Sequence, residues 1–123
     1  MLADKNLKAF APTVKPEEAK VFYRDVLGLK FLSEDSYALE FDANGVLLRI
    51  AIVRELEPQP FTILGWNVND IVSVINQLNQ KNIFCERYGF FEQDKLGIWT
   101  SPNGSKVAWF KDPDGNILSL TEV

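Results

Sequence analysis

The chain has 123 residues, of which 46% are hydrophobic and 24% are charged, and it contains one cysteine and no histidine. This length suits one domain with a core of its own. A single cysteine excludes a disulfide within the chain. The lack of histidine removes the commonest general base and the commonest zinc ligand, so a bound metal would depend on carboxylate and amide oxygens.

The same composition limits the partners and the location of the protein. The net charge is −4 and the basic residues form no cluster, which argues against a nucleic-acid partner. No apolar run approaches the roughly 20 residues of a membrane-spanning helix, and the N-terminal residues lack the apolar segment of a signal peptide. We therefore expect a cytoplasmic protein without a membrane partner.

The first half of the chain predicts a strand, a helix and three further strands. Residues 8–14 form a short apolar strand, and Pro12 places this strand near a sheet edge or a bulge. A helix begins at Pro16, has acidic residues in its first turn, and ends at Gly28. The strands that follow cover residues 29–32, 37–41 and 46–53, with an Asn-Gly turn in the last hairpin.

The second half repeats this order, with one additional strand after its helix, and follows a proline-containing linker at residues 54–60. Asn69 or Asp70 caps a helix whose apolar residues recur at helical spacing, and Asn82 ends it. A Pro-Asp-Gly turn closes the final hairpin. The predicted strands cover residues 61–68, 83–86, 98–100, 106–111 and 117–120.

The repeat predicts a single domain made of two βαβββ modules, residues 7–55 and residues 61–123. A repeat of this kind commonly binds a ligand between its halves. The second half also carries extra residues, which fall in an aromatic loop at residues 88–97. Long loops in compact repeats are often functional, so this loop is a further candidate for function.

Two motifs resemble the vicinal-oxygen-chelate superfamily. The run Val21 to Leu29, VFYRDVLGL, looks like the first-helix signature of this superfamily, and Asp112 to Asn116, DPDGN, resembles its terminal hairpin motif. The superfamily includes glyoxalase I, extradiol dioxygenases, and fosfomycin- and bleomycin-resistance proteins. The resemblance implies an α+β fold in which two βαβββ modules, related by a pseudo-twofold repeat, form a curved mixed and mostly antiparallel sheet around a cavity. It also implies a homodimer.

In metal-dependent members, the ligands come from the first and last strands of each module. Carried over one position at a time, these ligands fall on Lys8, Arg49, Ile63 and Ser119. Two of the four are cations, which would repel a divalent metal in a poorly screened cavity. The resemblance therefore implies a member that lacks the usual metal ligands, and we expect no metal and no other cofactor.

The four implied ligand positions and strand alternation indicate which side chains line the implied cavity, because residues two apart share a face of a sheet. The resemblance adds Trp109, where some members place a cavity-facing tyrosine, and the repeat adds Glu40 as its match. The expected lining combines aromatic walls with two cations and one anion. Its members are Lys8, Phe10, Glu40, Arg49, Ile63, Asn67, Trp109 and Ser119. Three alternatives stay open: Glu40 and Arg49 can form a cross-strand ion pair, Trp109 can be part of the core, and Lys8 can extend into solvent.

These residues favour a metal-free protein that binds a small, flat or anionic molecule, as the bleomycin-resistance members do. The alternative is a lyase- or dioxygenase-like enzyme of the same superfamily, with an unknown substrate and with metal ligands at non-standard positions. The candidates for acid–base chemistry are limited to Glu40, Lys8 and the tyrosines, and no motif assigns a catalytic role to any of them. Catalytic residues therefore stay unassigned.

Overall fold

The computed structural model describes residues 1–123. It divides the chain into two compact units, Met1–Glu57 and Pro58–Val123. Each unit contains a strand, a helix and three further strands in that order, and each forms its own four-stranded mixed sheet. This arrangement confirms the predicted α+β class with two βαβββ modules. None of the helices combines the length and the apolar character that crossing a membrane would require.

The first unit begins with strand β1, Lys8–Thr13, and helix α1, Pro16–Val21. The helix continues as a π-helical turn over Phe22–Val26. Gly28 follows with a φ of 77°, a left-handed value that glycine adopts without strain, so the predicted cap is confirmed. Strands β2, β3 and β4 cover Lys30–Glu34, Ala38–Ala43 and Val46–Ile52.

The first sheet has the strand order β1-β4-β3-β2, which makes β1 an edge strand. Strand β1 pairs with β4 in parallel, whereas the other two pairs are antiparallel. Pro12 therefore lies in an edge strand, where a residue without an N–H is tolerated, as predicted. Asn44 and Gly45 join β3 to β4, and both have the positive φ that a type I′ turn requires.

One face of the first sheet forms the core of this unit. Phe41, Leu48 and Ile50 on this face are fully buried. The ring of Tyr23, from the π-helical turn, lies 5.9 Å from the ring of Phe41, so the helix is attached to the sheet through an aromatic contact. Burial of each such side chain contributes about 1.5–3 kcal/mol to stability.

The second unit begins with strand β5, Thr62–Asn67, and helix α2, Ile71–Gln80. Asp70 caps the helix, because its side chain accepts a hydrogen bond from the backbone N–H of Ser73 at 3.1 Å. The Oε1 atom of Glu122 accepts a hydrogen bond from a second N–H of the first turn, that of Ile71, at 3.0 Å. Strands β6, β7 and β8 cover Trp99–Thr100, Lys106–Lys111 and Ile117–Glu122.

The second sheet has the strand order β5-β8-β7-β6, which is the order of the first sheet transferred to the second module. Strand β5 pairs with β8 in parallel, and β7 pairs with both neighbours in antiparallel fashion. The core of this unit contains Ile71 and Ile75 of the helix together with Phe110 and Leu118 of the sheet, all of which are buried. Asn82 has a φ of 64° just beyond the helix, so its predicted role at the helix end is confirmed.

The predicted strand at residues 83–86 is wrong, because this segment has no regular structure. It keeps one backbone hydrogen bond to β7, from the N–H of Glu86 to the carbonyl of Trp109 at 2.7 Å. The carbonyl of Glu86 instead accepts a hydrogen bond from the side chain of Gln93 at 2.9 Å. A side-chain amide thus replaces the strand ladder, and the short strand β6 takes the edge position of the sheet.

Candidate functional site

The face of the first sheet opposite its core carries a row of predicted site residues. Phe10 of β1 lies in register with Arg49 of β4, and Arg49 lies in register with Glu40 of β3. Residues directly opposite one another share a face of the sheet, and Lys8 joins this face because it is two positions from Phe10. We call this surface the open face of the first sheet.

Three charged side chains of the open face form one ion-pair cluster. The Nη1 atom of Arg49 donates a hydrogen bond to Oε2 of Glu40 at 2.9 Å. The Nζ atom of Lys8 lies 3.8 Å from the same oxygen. The cross-strand pair considered as an alternative is therefore present, but it involves two cations and one carboxylate. The cluster keeps an excess of one positive charge.

Phe10 adds an apolar surface beside this cluster. Its side chain is 58% exposed, an unusually large fraction for a phenylalanine in a strand. The Nζ atom of Lys8 lies 5.7 Å from the centre of the Phe10 ring, within the range of a cation–π contact. The structure thus brings Lys8, Phe10, Glu40 and Arg49 together on one accessible surface.

In the second sheet, Trp109 of β7 lies in register with Ser119 of β8, and Ser119 with Gly65 of β5. A Cβ atom at Gly65 would lie 2.7 Å from Oγ of Ser119, so a larger residue there would displace the serine side chain. Asn67 is exposed and lies in register with Thr121. Ile63 falls at the irregularity in the pairing of β5 with β8.

The indole of Trp109 contacts aromatic rings of the 88–97 loop. The ring of Phe91 is stacked on the Trp109 indole, with 5.1 Å between ring centres and 4° between their planes. The ring of Tyr88 meets the same indole edge-on at 5.6 Å, and Trp99 lies 6.2 Å away. With Phe90, which contacts Tyr88 and Phe91, these rings form the aromatic cluster of the second unit.

Gln93 organises the backbone of the 88–97 loop. Its side-chain amide donates to the carbonyls of Glu86 and Gly97, at 2.9 Å and 2.8 Å, and its oxygen accepts from the N–H of Tyr88 at 2.8 Å. Asp94 accepts hydrogen bonds from two further N–H groups of the chain around the loop. The polar groups of the loop are therefore bonded largely within the loop itself.

Two depressions lie beside this loop in the second unit. One has a volume of about 380 Å³ and is lined by Glu92, Gln93, Asp94, Ile98, Trp99 and Thr100. The other has a volume of about 370 Å³ and is lined by Pro58, Gln59, Pro60, Glu86, Tyr88, Lys111, Gly115 and Ile117. Both volumes lie in the range of small-molecule sites.

No protein-family model matches the sequence, and no curated protein matches it either. Solved structures do match. The chain has the fold of the glyoxalase/bleomycin-resistance/dioxygenase superfamily. This confirms, for the fold, the resemblance to the vicinal-oxygen-chelate superfamily that the two sequence motifs indicated.

Three of the matching structures illustrate the likeness to the superfamily. Lactoylglutathione lyase from Agrobacterium tumefaciens is 17% identical, with a TM-score of 0.75 over 99% of this chain and 96% of that protein. A superfamily member from Sphaerobacter thermophilus is 16% identical, with a TM-score of 0.75 over 100% of both chains. A glyoxalase family protein from Enterococcus faecalis is 25% identical, with a TM-score of 0.71 over 99% of this chain and 100% of that protein.

The side chains at the implied ligand positions do not form a set that suits a metal ion. Nowhere in the chain do three or more Cys, Asp or Glu side chains come together in a way that could hold a metal ion. At the positions to which the resemblance carries the ligands, Lys8 and Arg49 are cations paired with Glu40, and Ile63 is apolar. Ser119 alone is a weak ligand, so these residues do not fit a divalent metal.

We expect the purified protein to hold far less than one equivalent of zinc, nickel, iron or manganese, because its cations repel these ions and its carboxylates are dispersed. Elemental analysis after extensive dialysis measures this directly. A near-stoichiometric metal content would contradict the prediction. It would direct attention to Glu40 or to the loop carboxylates of Glu92 and Asp94.

Cys85 is half-buried and lies next to Gly97 at the end of the loop, where a Cβ atom would lie 2.7 Å from the Cβ of the cysteine. Burial raises the pKa of the Cys85 thiol to about 11. The thiolate is the reactive form, and it becomes the major form only above that pH. The thiol is therefore expected to be unreactive near neutral pH.

At pH 8 we expect iodoacetamide to modify folded protein roughly a hundredfold more slowly than the urea-unfolded chain, because two units of pKa reduce the thiolate fraction by this factor. The difference should shrink as the pH approaches 11. Mass spectrometry over time measures both rates, and the chain offers only this one thiol. Equal rates at pH 8 would show that burial does not protect the sulfur.

Sequence reasoning missed Phe91, Tyr88 and Trp99 as neighbours of Trp109. It identified the 88–97 loop as a candidate for function but assigned no contact to it. The available signal was the density of aromatic residues between positions 88 and 99. An apolar side chain in a long loop needs a surface to cover, and Trp109 on the adjacent strand provides that surface.

Proposed function

We propose that this protein binds a small anionic molecule, without a metal, on the open face of its first sheet. One observation carries the proposal: Lys8 and Arg49 both contact the same oxygen of Glu40. Two cations share a single contacting carboxylate, so the cluster itself has an excess of one positive charge. Asp35 is a second carboxylate in the vicinity: hydrogen bonds from Tyr37 and Ala38, together with the Arg49 charge, lower the pKa of its carboxyl. An anion that enters this surface would balance the excess charge of the cluster.

The geometry of Arg49 suits such a ligand. A guanidinium group has five N–H donors in a rigid plane, and one contact to Glu40 leaves others able to bind a carboxylate or a phosphate. The side chains of Arg49 and Glu40 are mostly covered, with exposures of 28% and 23%. Partial burial reduces screening by solvent, so a charge-assisted hydrogen bond is stronger here than on a fully exposed surface.

The neighbouring Phe10 ring favours an aromatic anion over a simple inorganic one. Its exposed face lies beside the cations, so a flat ring could stack on it while the anionic group reaches Arg49. Aromatic contacts of this type contribute about 0.5–1.5 kcal/mol beyond the burial of area. The proposed ligand class is therefore a small aromatic carboxylate or a related flat anion.

Benzoate is a suitable first probe, and titration calorimetry or ligand-observed NMR measures its affinity. We expect Arg49→Ala to weaken binding by about 1.5–3 kcal/mol, the range for hydrogen bonds to charged groups. We expect Glu40→Gln to strengthen binding, because it removes the carboxylate that competes with the probe for Arg49. A purely structural ion pair would give the opposite result, with lower stability and no gain in affinity.

Arg54→Ala is the matched control for lost charge. Arg54 is exposed and belongs to the same unit, but it lies outside the ion-pair cluster, so its removal should leave benzoate binding nearly unchanged. Equal weakening by Arg49→Ala and Arg54→Ala would indicate that only net charge matters, and the proposed site would be wrong. Native mass spectrometry of protein purified without added ligand can identify a retained natural ligand.

A further inference from the structure

The ring of Phe91 covers the neighbouring indoles of Trp99 and Trp109, whose centres lie 6.2 Å apart. Phe91 is stacked almost parallel on Trp109, with 4° between the planes, and it lies 4.8 Å from Trp99 with 35° between the planes. The pairing of Trp99 with Val107, and of Trp109 with Ser119, places both indoles on the same face of the second sheet. A loop side chain thus covers a surface that two adjacent indoles form.

We propose that Trp99 and Trp109 form a binding site for an uncharged planar aromatic molecule, and that Phe91 occupies this site until such a molecule displaces it. The stacked geometry of Phe91 on Trp109 is the geometry that a flat ligand would adopt. This site lies in the second unit and requires no cation. It shares no residue with the proposed anion site on the first sheet.

Phe91 can leave without disrupting the backbone of its loop. The hydrogen bonds around it join main-chain groups and the side chains of Gln93 and Asp94, and none of them uses the Phe91 ring. The backbone N–H of Phe91 bonds to the carbonyl of Tyr88 at 3.1 Å, which a rotation of the side chain does not affect. The cost of opening is therefore confined to aromatic contacts.

The surroundings define the charge of the ligand. A depression of about 380 Å³ borders Trp99 and continues along the loop, but Phe91 and Trp109 do not line it, so space on the two indoles arises only when Phe91 leaves. Glu92 and Asp94 line the depression, so an anionic ligand would meet repulsion there. An uncharged ring system of one or two fused rings meets no such repulsion.

Indole is a suitable probe, and the Nε1–H signals of the three tryptophans in a ¹H–¹⁵N correlation spectrum report its binding. We expect the signals of Trp99 and Trp109 to shift on titration. Trp66 serves as an internal control, because its register with Leu120 places it on the other face of the sheet. Its signal should stay in place.

We expect Phe91→Ala to bind indole about tenfold more tightly than the natural sequence, because the probe no longer competes with the phenylalanine ring. Phe90→Ala is the matched control. Phe90 is 79% exposed and its ring contacts Tyr88 and Phe91 but neither indole, so its loss leaves Phe91 on Trp109 and should change the affinity far less than Phe91→Ala does. Arg49→Ala should have no effect on indole binding, which separates this site from the proposed anion site.

The unmodified protein provides a test that does not depend on the folding of any variant. Stacking on Trp109 should shield the ring protons of Phe91, and saturation with indole should remove this shielding. The proposal is overturned if Trp109 responds to indole while the Phe91 ring stays shielded. It is also overturned if Phe91→Ala and the natural protein bind indole equally, or if neither binds it.

Discussion

Replacement of Phe41 by alanine is expected to lower the free energy of unfolding by about 3–5 kcal/mol, the range for removing a buried phenylalanine. Phe41 is fully buried in the core of the first unit. Its ring lies 5.9 Å from that of Tyr23 and 5.6 Å from that of Phe31, so its loss leaves a cavity between helix and sheet. Urea denaturation followed by circular dichroism measures the change.

Phe10→Ala is the control, because it removes the same side chain from the opposite face of the same sheet. The exposed Phe10 should contribute little to stability, so its loss should change the free energy of unfolding by only about 0.5 kcal/mol. The same variant should weaken benzoate binding, since the ring lies beside the ion-pair cluster. A large loss of stability in Phe10→Ala would show that this face is part of a core.

Asp112→Ala is expected to destabilise the protein by about 2–4 kcal/mol, because it leaves buried donors without partners. Asp112 is buried at the start of the turn between β7 and β8. Its Oδ1 atom accepts from the N–H groups of Asp114 and Asn116, and its Oδ2 atom accepts from Nδ2 of Asn116, each at 2.9 Å. The carboxylate therefore holds the whole turn in place.

The corresponding turn in the first unit provides the control. The Oδ1 atom of Asp42 accepts one hydrogen bond from the N–H of Gly45, at 2.7 Å, and this bond is exposed. Water can replace it, so Asp42→Ala should cost only about 0.5–1.5 kcal/mol. If both variants lost the same stability in urea denaturation, burial of the Asp112 network would not explain its contribution.

The fold was accessible from the sequence because its signals are local. The strand Lys106–Lys111 was predicted with its observed bounds, and the helix cap at Asp70 was one of two predicted residues. Backbone preferences that involve only a few neighbouring residues explain the turn at Asn44 and Gly45. They also explain Gly28 after the first helix. These signals, together with two motifs, were enough to indicate the superfamily fold.

The wrong strand at residues 83–86 shows where local reasoning fails. These residues have strand-forming side chains, but the Gln93 side chain takes the Glu86 carbonyl that a ladder would have used. Gln93 lies seven positions after Glu86 in the sequence. Its competition with a strand partner for the Glu86 carbonyl leaves no periodic pattern in the sequence. The strand-forming side chains of residues 83–86 therefore predicted a strand that the structure does not contain.

The sequence by itself predicted most of the elements in their order. The resemblance indicated Lys8 and Arg49, the repeat added Glu40, and strand alternation added Phe10, because it fixes which side chains share a face. Only the tertiary structure decided that both cations converge on one oxygen of Glu40. It also decided that Phe91 covers Trp109. Both results depend on side-chain directions and on the path of an irregular loop, and neither is set by the periodicity of the chain.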